Sequence, residues 1–466
     1  MPLDSDFIDA LRSMCGVDQV RTDLEALQAA SHDTWPMTTK WSILGRHPYP
    51  ADVVVRPSRV EQIPEVLMLC TSSRVPLTVR SHASSVTGQP IPTRGGVVLD
   101  VTGLPAWYDI DETDLIVRAS ANFSGGELED ILAEQGYTLG HSPQSLYRSS
   151  VGGWLATLAT GQFSSLYGGI EDLVVAYTVY LATGEKVELV AKPRAAMGPD
   201  LRQLFIGAEG TLAVITEVAL KIFPRAETQL LGAYALPSVH DGLGLLRAQA
   251  AAGLRPFLLR LYDEQEARHA MVDASFATPV LFTGSRGPKP LAEAEFALLD
   301  ALIRDFGGTP LGPDPTQAWM DRRFDFSSVE KRVAIPGGIA ETLEVAHYWS
   351  QIESLYEVLR DALAPLVDEV LVHWSHVYTQ GASMYLILFG QVADDEAAIK
   401  RLDQVWTVTM DICLEHGAEL SHHHGGGLIR SPYSKRALGS AHLVLSKVKD
   451  ALDPSHILNP GKLGLT

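Results

Sequence analysis

A stretch rich in glycine and serine runs His141-Ser-Pro-Gln-Ser-Leu-Tyr-Arg-Ser-Ser-Val-Gly-Gly-Trp154 and continues to Gly161 and Tyr167-Gly-Gly-Ile-Glu-Asp172. Small residues let the backbone approach a ligand closely and turn its N–H groups toward negative oxygens. An isolated glycine pair more often marks only a tight turn, but here such positions recur along the whole of 141–172. The stretch therefore predicts a cradle for a diphosphate group.

Two further loops have the same composition. Arg80-Ser-His-Ala-Ser-Ser-Val-Thr-Gly88 follows a strand-like run, and Gly207-Ala-Glu-Gly-Thr211 precedes a β-branched run at 214–218. Three such loops in one region favour a large cofactor that contains a diphosphate over chance turns. The chain has neither GxGxxG after a strand nor GxxxxGK[ST], so the dinucleotide fingerprint and the P-loop are both excluded.

Length and charge exclude several classes of protein. The 466 residues suggest two or three packed units, and the net charge of -19 disfavours nucleic acid and anionic membrane surfaces as partners.

The three cysteines, Cys15, Cys70 and Cys413, are too far apart for a disulfide framework or a metal-binding pair, which favours a reducing compartment. The N-terminal residues lack a secretory signal, and no apolar run is long enough to be a transmembrane segment. These features predict a cytoplasmic protein.

The periodicity divides the chain near Pro224. Before it, short β-rich runs alternate with turns, and Thr183-Gly184 predicts an antiparallel hairpin between 172–182 and 186–190. After it, two helix–strand–strand–helix units predict a duplicated antiparallel sheet covered by helices on one face, with 307–315 as the link between the units. The fold class is therefore α+β, and a doubly wound parallel sheet is disfavoured.

Three consecutive histidines form the second chemical feature, in Ser421-His-His-His-Gly-Gly-Gly-Leu-Ile-Arg430. On an extended chain, His422 and His424 would face one side and His423 the other. A zinc site would need a further ligand at an ordered spacing that the sequence does not show, so no metal is predicted. Proton transfer is favoured over zinc binding as the role of these histidines, because imidazole titrates near neutral pH.

Two single residues join the histidines as candidates. Arg260 is a charge inside the apolar run Leu258-Leu-Arg-Leu-Tyr262, which is unfavourable unless an anion balances it. That anion is either a substrate or a structural carboxylate such as Asp263. The Tyr378 hydroxyl is a candidate acid or base, although most tyrosines at strand ends only pack and donate hydrogen bonds.

Four segments together resemble FAD-binding oxidoreductases of the vanillyl-alcohol oxidase / p-cresol methylhydroxylase (PCMH) type. They are Arg80–Gly88, Pro143–Trp154, Tyr167–Leu173 and Gly207–Leu212. Within that family, Ser421-His-His-His-Gly, Arg260 and Tyr378 are most similar to alkyldihydroxyacetonephosphate synthase. The ending Asn459-Pro-Gly-Lys462 is more similar to D-lactate and glycolate dehydrogenases.

The resemblance implies a PCMH-type FAD-binding domain of two α/β subdomains and a cap domain with an antiparallel sheet. The expected boundaries are an N-terminal helical extension (1–50), the FAD-binding domain (51–225), the cap (226–420) and a C-terminal segment returning to the active site (421–466).

The resemblance also implies the site residues. Histidines His422, His423 and His424 would act with Tyr378 and Arg260 in catalysis. The residues implied to bind FAD are Arg80, Ser81, His82, Ala83, Ser84, Ser85, Val86, Pro143, Gln144, Ser145, Ser149, Val151, Gly152, Gly153, Ala156, Thr157, Gly161, Tyr167, Gly169, Ile170, Glu209 and Ile215. Ser84 takes the place of the histidine that carries covalent flavin in some relatives, so noncovalent FAD is expected.

Departures from the synthase pattern bear on the reaction. The usual glycine triplet of the first loop is Ser81-His82-Ala83, His373 replaces an arginine, and basic residues are missing near 162–165. The site would lack those positive charges for a phosphate-bearing substrate, whereas Arg260 suffices to bind a carboxylate.

The leading expectation is oxidation of a small D-2-hydroxy acid-like substrate by hydride transfer to flavin N5. The alternative is a redox-neutral exchange of ester for ether through a flavin N5 adduct. The electron acceptor stays open, and a homodimer is one possible assembly.

Overall fold

The computed structural model describes residues 3–190 and 192–465. The first sheet has four strands, which are β1 (Val20–Arg21), β2 (Val53–Val55), β3 (Leu77–Arg80) and β4 (Val97–Asp100). Their order is β1-β2-β4-β3, and β4 pairs in parallel with both β2 and β3. The valines of β2 and β4 are buried, which is typical of a sheet covered on both faces.

Antiparallel strands make up the rest of the first half. They are β5 (Tyr108–Asp111), β6 (Ile116–Ser120), β7 (Tyr137–Thr138), β8 (Val174–Tyr180), β9 (Lys186–Val190), β10 (Val214–Lys221) and β11 (Phe223–Pro224). Five of them form a sheet in the order β5-β6-β10-β8-β9, while β7 and β11 pair separately. The predicted hairpin is confirmed, because Tyr180 pairs with Lys186 and the turn residue Gly184 has a φ of 94°.

The second half is built on one antiparallel sheet of seven strands. They are β12 (Thr228–Ala235), β13 (Leu258–Tyr262), β14 (Val280–Gly287), β15 (Thr309–Gly312), β16 (Gly338–Tyr348), β17 (Glu369–Val377) and β18 (Gly381–Gln391). Their order is β15-β12-β14-β13-β17-β18-β16. The α+β class is confirmed.

Helices cover the sheets and connect them. Their bounds are α1 (Ser5–Cys15), α2 (Leu24–Ala30), α3 (Pro36–Ile43), α4 (Gln62–Ser73), α5 (Gly125–Glu134), α6 (Val151–Thr157), α7 (Ser164–Tyr167), α8 (Ile170–Leu173), α9 (Val239–Ala251), α10 (Glu264–Met271), α11 (Lys289–Asp305), α12 (Asp314–Arg322), α13 (Ser327–Ala334), α14 (Ile352–Leu363), α15 (Asp395–His416), α16 (Gly427–Arg430), α17 (Ser434–Leu438) and α18 (Ala441–Leu452). Single 3₁₀ turns lie at Val17–Gln19, Val101–Gly103, Leu146–Arg148, Leu201–Leu204 and Ser431–Tyr433. Within the described residues, no helix combines the length and apolar character needed to cross a membrane.

The two faces of the seven-stranded sheet have different roles. Alternate side chains such as Leu261, Val372 and Leu386 pack into one large core with α9, α11, α14 and α15. Their neighbours on the same strands point to the opposite face, because successive side chains of a strand alternate. That opposite face carries Arg260 and His373 and lines the cavity described below.

The sequence prediction of this half was incomplete. Each unit begins with a strand that the pattern did not show, β12 in the first and β16 in the second. In β16 the apolar pattern is interrupted by Glu341 and Glu344, which are both fully buried and accept hydrogen bonds. The predicted link 307–315 was wrong, because it contains the edge strand β15.

The chain termini both pack against the first sheet. The N-terminal helices alternate with β1, which pairs antiparallel with β2, so this segment is not helical throughout. Near the C-terminus, Leu458 bridges to Leu77 of β3, and Asn459 Nδ2 donates to the Glu209 carbonyl at 2.7 Å. The domain boundaries stay a prediction.

A pair of leucine substitutions tests the packing. Leu359 of α14 is fully buried in the large core, whereas Leu298 of α11 is 61% exposed. We expect Leu359→Ala to lower the free energy of unfolding by about 2–5 kcal/mol, because it removes packed methyl groups and leaves a cavity. Leu298→Ala is the control and should change it by less than about 0.5 kcal/mol. Equal losses in urea denaturation would contradict this packing.

Candidate active site

A cavity of about 660 Å³ lies between the loops of the first two sheets and the seven-stranded sheet. Its walls come from the three small-residue loops on one side and from β13, β17 and β18 on the other. This size and composition suit a site for a cofactor with a small substrate.

Most of the residues predicted to bind the cofactor line this cavity. They are Ser81, His82, Ala83, Ser84, Ser85, Val86, Pro143, Gln144, Ser145, Ser149, Gly152, Gly153, Ala156, Thr157, Glu209 and Ile215. Six others do not line it, namely Arg80, Val151, Gly161, Tyr167, Gly169 and Ile170. The structure thus brings all three loops to one cavity.

Arg80, which the resemblance implies to bind FAD, contacts backbone carbonyls of the N-terminal segment instead of lining the cavity. Its Nη1 donates to the carbonyl of His32 at 2.6 Å and to that of Ala30 at 3.3 Å. Two residues that sequence reasoning missed support the loop that follows it. Asp33 accepts hydrogen bonds from Ser85 Oγ and Gly88 N, and Thr34 Oγ1 donates to the carbonyl of Ser84. The N-terminal segment therefore fixes this loop.

Two glycines of the predicted cradle have a structural reason to lack a side chain. A Cβ on Gly152 would lie 2.6 Å from the Ala121 Cβ, and one on Gly161 would lie 2.5 Å from the Ser142 backbone nitrogen. At these positions it is the chain itself, and not a ligand, that excludes a side chain.

Unpartnered polar atoms in the cavity wall suit a polar cofactor. Ser81 Oγ and Gln162 Oε1 are buried and have no hydrogen-bond partner within the described chain. Buried polar groups are normally paired, because leaving one unsatisfied costs about 1–3 kcal/mol. The donors, acceptors and hydroxyl-rich loops therefore fit FAD, whose ribityl, diphosphate and ring heteroatoms would pair with them.

The histidine loop is fixed by a buried carboxylate on β16. Glu344 Oε1 accepts from Ser421 Oγ at 2.7 Å, His423 N at 3.0 Å and His424 N at 2.5 Å. Its Oε2 forms a buried ion pair with Arg430. Burial alone would raise the pKa of Glu344, but Arg430 and the histidines hold that pKa well below its usual range.

Glu209 holds the same loop from the cofactor side. Its carboxylate accepts from Gly426 N at 2.5 Å and from Gly427 N at 3.0 Å. Gln89 Nε2 also donates to the carbonyl of His424 at 2.5 Å. The loop is therefore clamped between the two halves of the protein by two buried carboxylates.

The curvature of this loop changes which histidines face the cavity. Consecutive N–H groups of His423 and His424 converge on one oxygen of Glu344, so the chain bends and is not extended. Both residues line the cavity, and the expectation that His422 and His424 share one side was wrong. His422 lies behind them, with its Nδ1 2.9 Å from His423 Nδ1 and its Nε2 2.7 Å from the Tyr378 hydroxyl. Neither His422 nor Tyr378 lines the cavity.

Two residues of the cavity wall, Tyr385 and His376, were missed because they lie inside strands. Tyr385 pairs with His373 across β17 and β18 and stacks between His373, with ring centroids 4.8 Å apart, and His423, at 5.9 Å. His376 is buried, its Nδ1 is 2.8 Å from Ser164 Oγ, and it stacks on His422. Strict alternation from His373 does not predict the position of His376, because the register of β17 is irregular between Trp374 and Val377.

The histidine cluster also has the composition of a metal site. The nearest ligand atoms of His376, His422 and His423 lie within 4.8 Å of one another. Sequence reasoning did not associate His376 with the histidine triplet. The prediction that no metal is bound stays a prediction.

Arg260 projects from β13 into the cavity beside the histidines. Its Nε donates to the Tyr262 hydroxyl at 2.9 Å and its Nη2 lies 2.9 Å from His373 Nε2. The guanidinium lies over the Trp319 ring at 4.9 Å. Across residues 3–190 and 192–465, no carboxylate oxygen lies within 4.0 Å of it, so Asp263 is not its partner. Asp263 instead caps α10, where it accepts from Glu266 N.

Burial sets the protonation of the histidine loop. It lowers the pKa of His422 to about 4 and depresses the pKa values of His423 and His424, the two that line the cavity. These imidazoles are therefore neutral at pH 7 and able to accept a proton. The Tyr385 hydroxyl is the opposite case, because burial raises its pKa and keeps it protonated.

A cavity lined by hydroxyl-rich loops and opposed by an arginine and two histidines defines an FAD-binding enzyme. The chain belongs to the FAD-linked oxidase family. Residues 51–189 match the family described as "FAD binding domain", and residues 225–463 match "FAD linked oxidases, C-terminal domain".

Relatives of this chain include proteins named for each of the two predicted reactions. It is 31% identical to the uncharacterized FAD-linked oxidoreductase YgcU of Escherichia coli over 98% of this chain and 97% of that one. It is 26% identical to alkyldihydroxyacetonephosphate synthase of Trypanosoma brucei brucei, covering 98% and 80%. Glycolate oxidase subunit GlcD of Bacillus subtilis is 24% identical, with 88% of each chain covered.

Solved structures show the same fold. An alkyldihydroxyacetonephosphate synthase superposes with a TM-score of 0.83 at 22% identity, covering 98% of this chain and 86% of that one. A p-cresol methylhydroxylase with substrate bound gives 0.82 at 14% identity, covering 99% and 96%. The PCMH-type fold predicted from the sequence is confirmed.

Removing the Glu344 carboxylate should disturb both stability and the site. We expect Glu344→Ala to lower the free energy of unfolding by about 3–5 kcal/mol, because it leaves Arg430 buried without a counter-charge. Glu330→Ala breaks the ion pair with Arg148, whose partners are 48% and 56% exposed, and is the control with an expected loss of about 0–1 kcal/mol. If both variants unfold at the same denaturant concentration, Glu344 does not fix this loop.

Proposed function

We propose that this enzyme oxidises a small 2-hydroxy acid, of which a D-2-hydroxy acid is the expected form. The observation that carries the proposal is Arg260, a cavity guanidinium that has no carboxylate partner among the residues the structure describes and that faces the same space as His423 and His424. The name of the glycolate oxidase relative supports it, since glycolate is a 2-hydroxy acid.

Arg260 would orient the substrate. Its Nε and Nη2 are engaged by Tyr262 and His373, while Nη1 donates no hydrogen bond within residues 3–190 and 192–465. A carboxylate placed against Nη1 would gain a charge-assisted hydrogen bond, which is worth about 1.5–3 kcal/mol. Tyr262 and His373 occupy two of the five guanidinium N–H groups, so both N–H groups of Nη1 stay available to a ligand.

His423 and His424 would then accept the hydroxyl proton. Both are neutral at pH 7, and the Glu344 clamp fixes their backbone positions. The Tyr385 hydroxyl shares this wall and stays protonated. Bound FAD would supply the hydride acceptor, so the protein's part is to orient the substrate and remove one proton.

A redox-neutral exchange of an acyl ester for an alkyl ether is the second candidate. It is supported by the Ser421-His-His-His-Gly motif and by the similarity to alkyldihydroxyacetonephosphate synthase. A phosphate in the substrate would need cations beyond Arg260, and Arg322 and Arg323 line the same cavity. Release of acyl groups from acyl-dihydroxyacetone phosphate without an electron acceptor would favour this candidate.

The decisive experiment is an anaerobic titration of the FAD-loaded protein with a panel of D- and L-2-hydroxy acids. We expect one D member to bleach the visible absorption of oxidised flavin. If no member bleaches it, the oxidation proposal is wrong.

Replacing the anchor should weaken binding more than chemistry. We expect Arg260→Gln to raise KM about 10–100-fold for the acid that bleaches the flavin, since a charged hydrogen bond is lost. Flavin reduction at saturating substrate should change less. Arg247→Gln, on the exposed side of α9, is the control and should leave KM unchanged. An unaltered KM in Arg260→Gln would exclude the anchor.

The pH profile should reflect the buried histidines. The pKa values of His423 and His424 lie below the ordinary imidazole value of about 6.5 because both side chains are buried. The proton acceptor stays unprotonated down to the depressed pKa, so kcat/KM should begin to fall only at pH values below about 6.5. An acid limb, along which kcat/KM falls as the pH is lowered, centred at or above that value would show that neither histidine accepts the proton.

A further inference from the structure

A hydrogen-bonded chain runs from Arg260 into the protein, away from the cavity. Arg260 Nη2 lies 2.9 Å from His373 Nε2, and His373 Nδ1 lies 2.9 Å from both carboxyl oxygens of Glu266. His373 and Glu266 are buried, with side-chain exposures of 4% and 8%. The proposed function uses Arg260 but leaves these two groups without a role.

The chemistry of the donors fixes the tautomer of His373. A guanidinium only donates hydrogen bonds, so His373 Nε2 must accept from Arg260. The proton of the neutral ring is then on Nδ1, and it is donated to Glu266, whose two oxygens both lie 2.9 Å from that nitrogen. When Glu266 is ionised, the positive charge on Arg260 stabilises the buried negative charge through the neutral ring.

A substrate carboxylate would compete for the same positive charge. Two anions would then share one guanidinium in a buried environment, which favours protonation of one of them. Burial already raises the pKa of Glu266 to about 8, with Arg260 opposing that shift. Titration of the His373–Glu266 pair therefore falls in an accessible pH range.

Several other charged or titratable groups face the pair. Those on α10 or at its start are Asp263 and His269, the one on the strand of His373 itself is His376, and those on neighbouring elements are Arg260, Tyr262, Arg322, Glu369 and Tyr385. His269 is paired with Glu369, and burial raises the pKa of both tyrosines. Arg260 is the one of these groups that also faces the substrate's position and bonds directly to His373.

We propose that Glu266 and His373 make carboxylate binding proton-coupled: an anion binds to Arg260, and the pair takes up one proton from solvent. This inference rests on Arg260 being the carboxylate anchor of the proposed function. Glu266 is in this account a positioning residue, which acts through His373 and Arg260. Uptake of the proton keeps the net charge of the site unchanged when a monoanion binds. Binding of a phosphate dianion with one proton would make that net charge one unit more negative.

The test uses the FAD-loaded protein and 2-hydroxy-2-methylpropanoate, a 2-hydroxy acid without an α-hydrogen, which cannot be oxidised. We expect its Kd, measured by calorimetry, to be constant below pH about 8 and to rise up to about tenfold per pH unit above it. The sign follows because the pKa of the pair is higher in the complex than in the free enzyme. At pH values above about 8, where the free pair has lost its proton, the observed heat should also vary with the ionisation enthalpy of the buffer, which measures the protons taken up.

Matched variants of α10 separate this mechanism from a structural effect. Glu266→Gln keeps the size of the side chain but removes the titrating group. The Kd of this variant should therefore be independent of pH, and its heat of binding should be independent of the buffer. Glu264→Gln, two residues earlier in the same helix, should behave like the wild type. Proton uptake that persists in Glu266→Gln, or is absent from the wild type, would overturn the inference.

The outcomes also separate this inference from the proposed function. Bleaching of flavin by a D-2-hydroxy acid, together with carboxylate binding that takes up no proton, would overturn only the coupling. Failure of any carboxylate to bind would overturn both.

Discussion

The Glu344 carboxylate lies fully buried at the point where β16 meets the histidine loop, and it accepts hydrogen bonds from Ser421 Oγ and from two consecutive backbone N–H groups. A buried anion of this kind is stable only with several donors and a cation, which Arg430 supplies. The same contacts bend the loop, so that His423 and His424 face the cavity and His422 does not. Most of the site geometry follows from this one group.

The cavity combines parts from distant segments of the chain. The cofactor-side loops come from the first half, the guanidinium and Tyr385 come from the seven-stranded sheet, and the histidines come from the C-terminal segment. Glu209 and Glu344 join these parts, because each accepts N–H groups of the histidine loop from its own side. Substrate specificity can therefore change through the sheet while the cofactor loops stay the same, which fits a family whose relatives carry different substrate names.

Local patterns predicted much of the fold and part of the site. The hairpin at Thr183-Gly184, the main helices of the second half and the three small-residue loops were all visible in the sequence. The strand β16 was not, because buried Glu341 and Glu344 resemble surface residues until their partners Trp406 and Arg430 are known. Asp33 and Glu266 were missed for the same reason, since each partner is distant in sequence. The orientation of His422 depended on a bend that only Glu344 explains.

In the proposed complex, a 2-hydroxy acid lies between Arg260 and the histidines His423 and His424. A crystal structure of the FAD-loaded protein with 2-hydroxy-2-methylpropanoate would show this arrangement. We expect the ligand carboxylate on Arg260 Nη1 and its hydroxyl within hydrogen-bond distance of a nitrogen of His423 or His424. A ligand whose carboxylate avoids Arg260, or whose hydroxyl points away from both histidines, would contradict it.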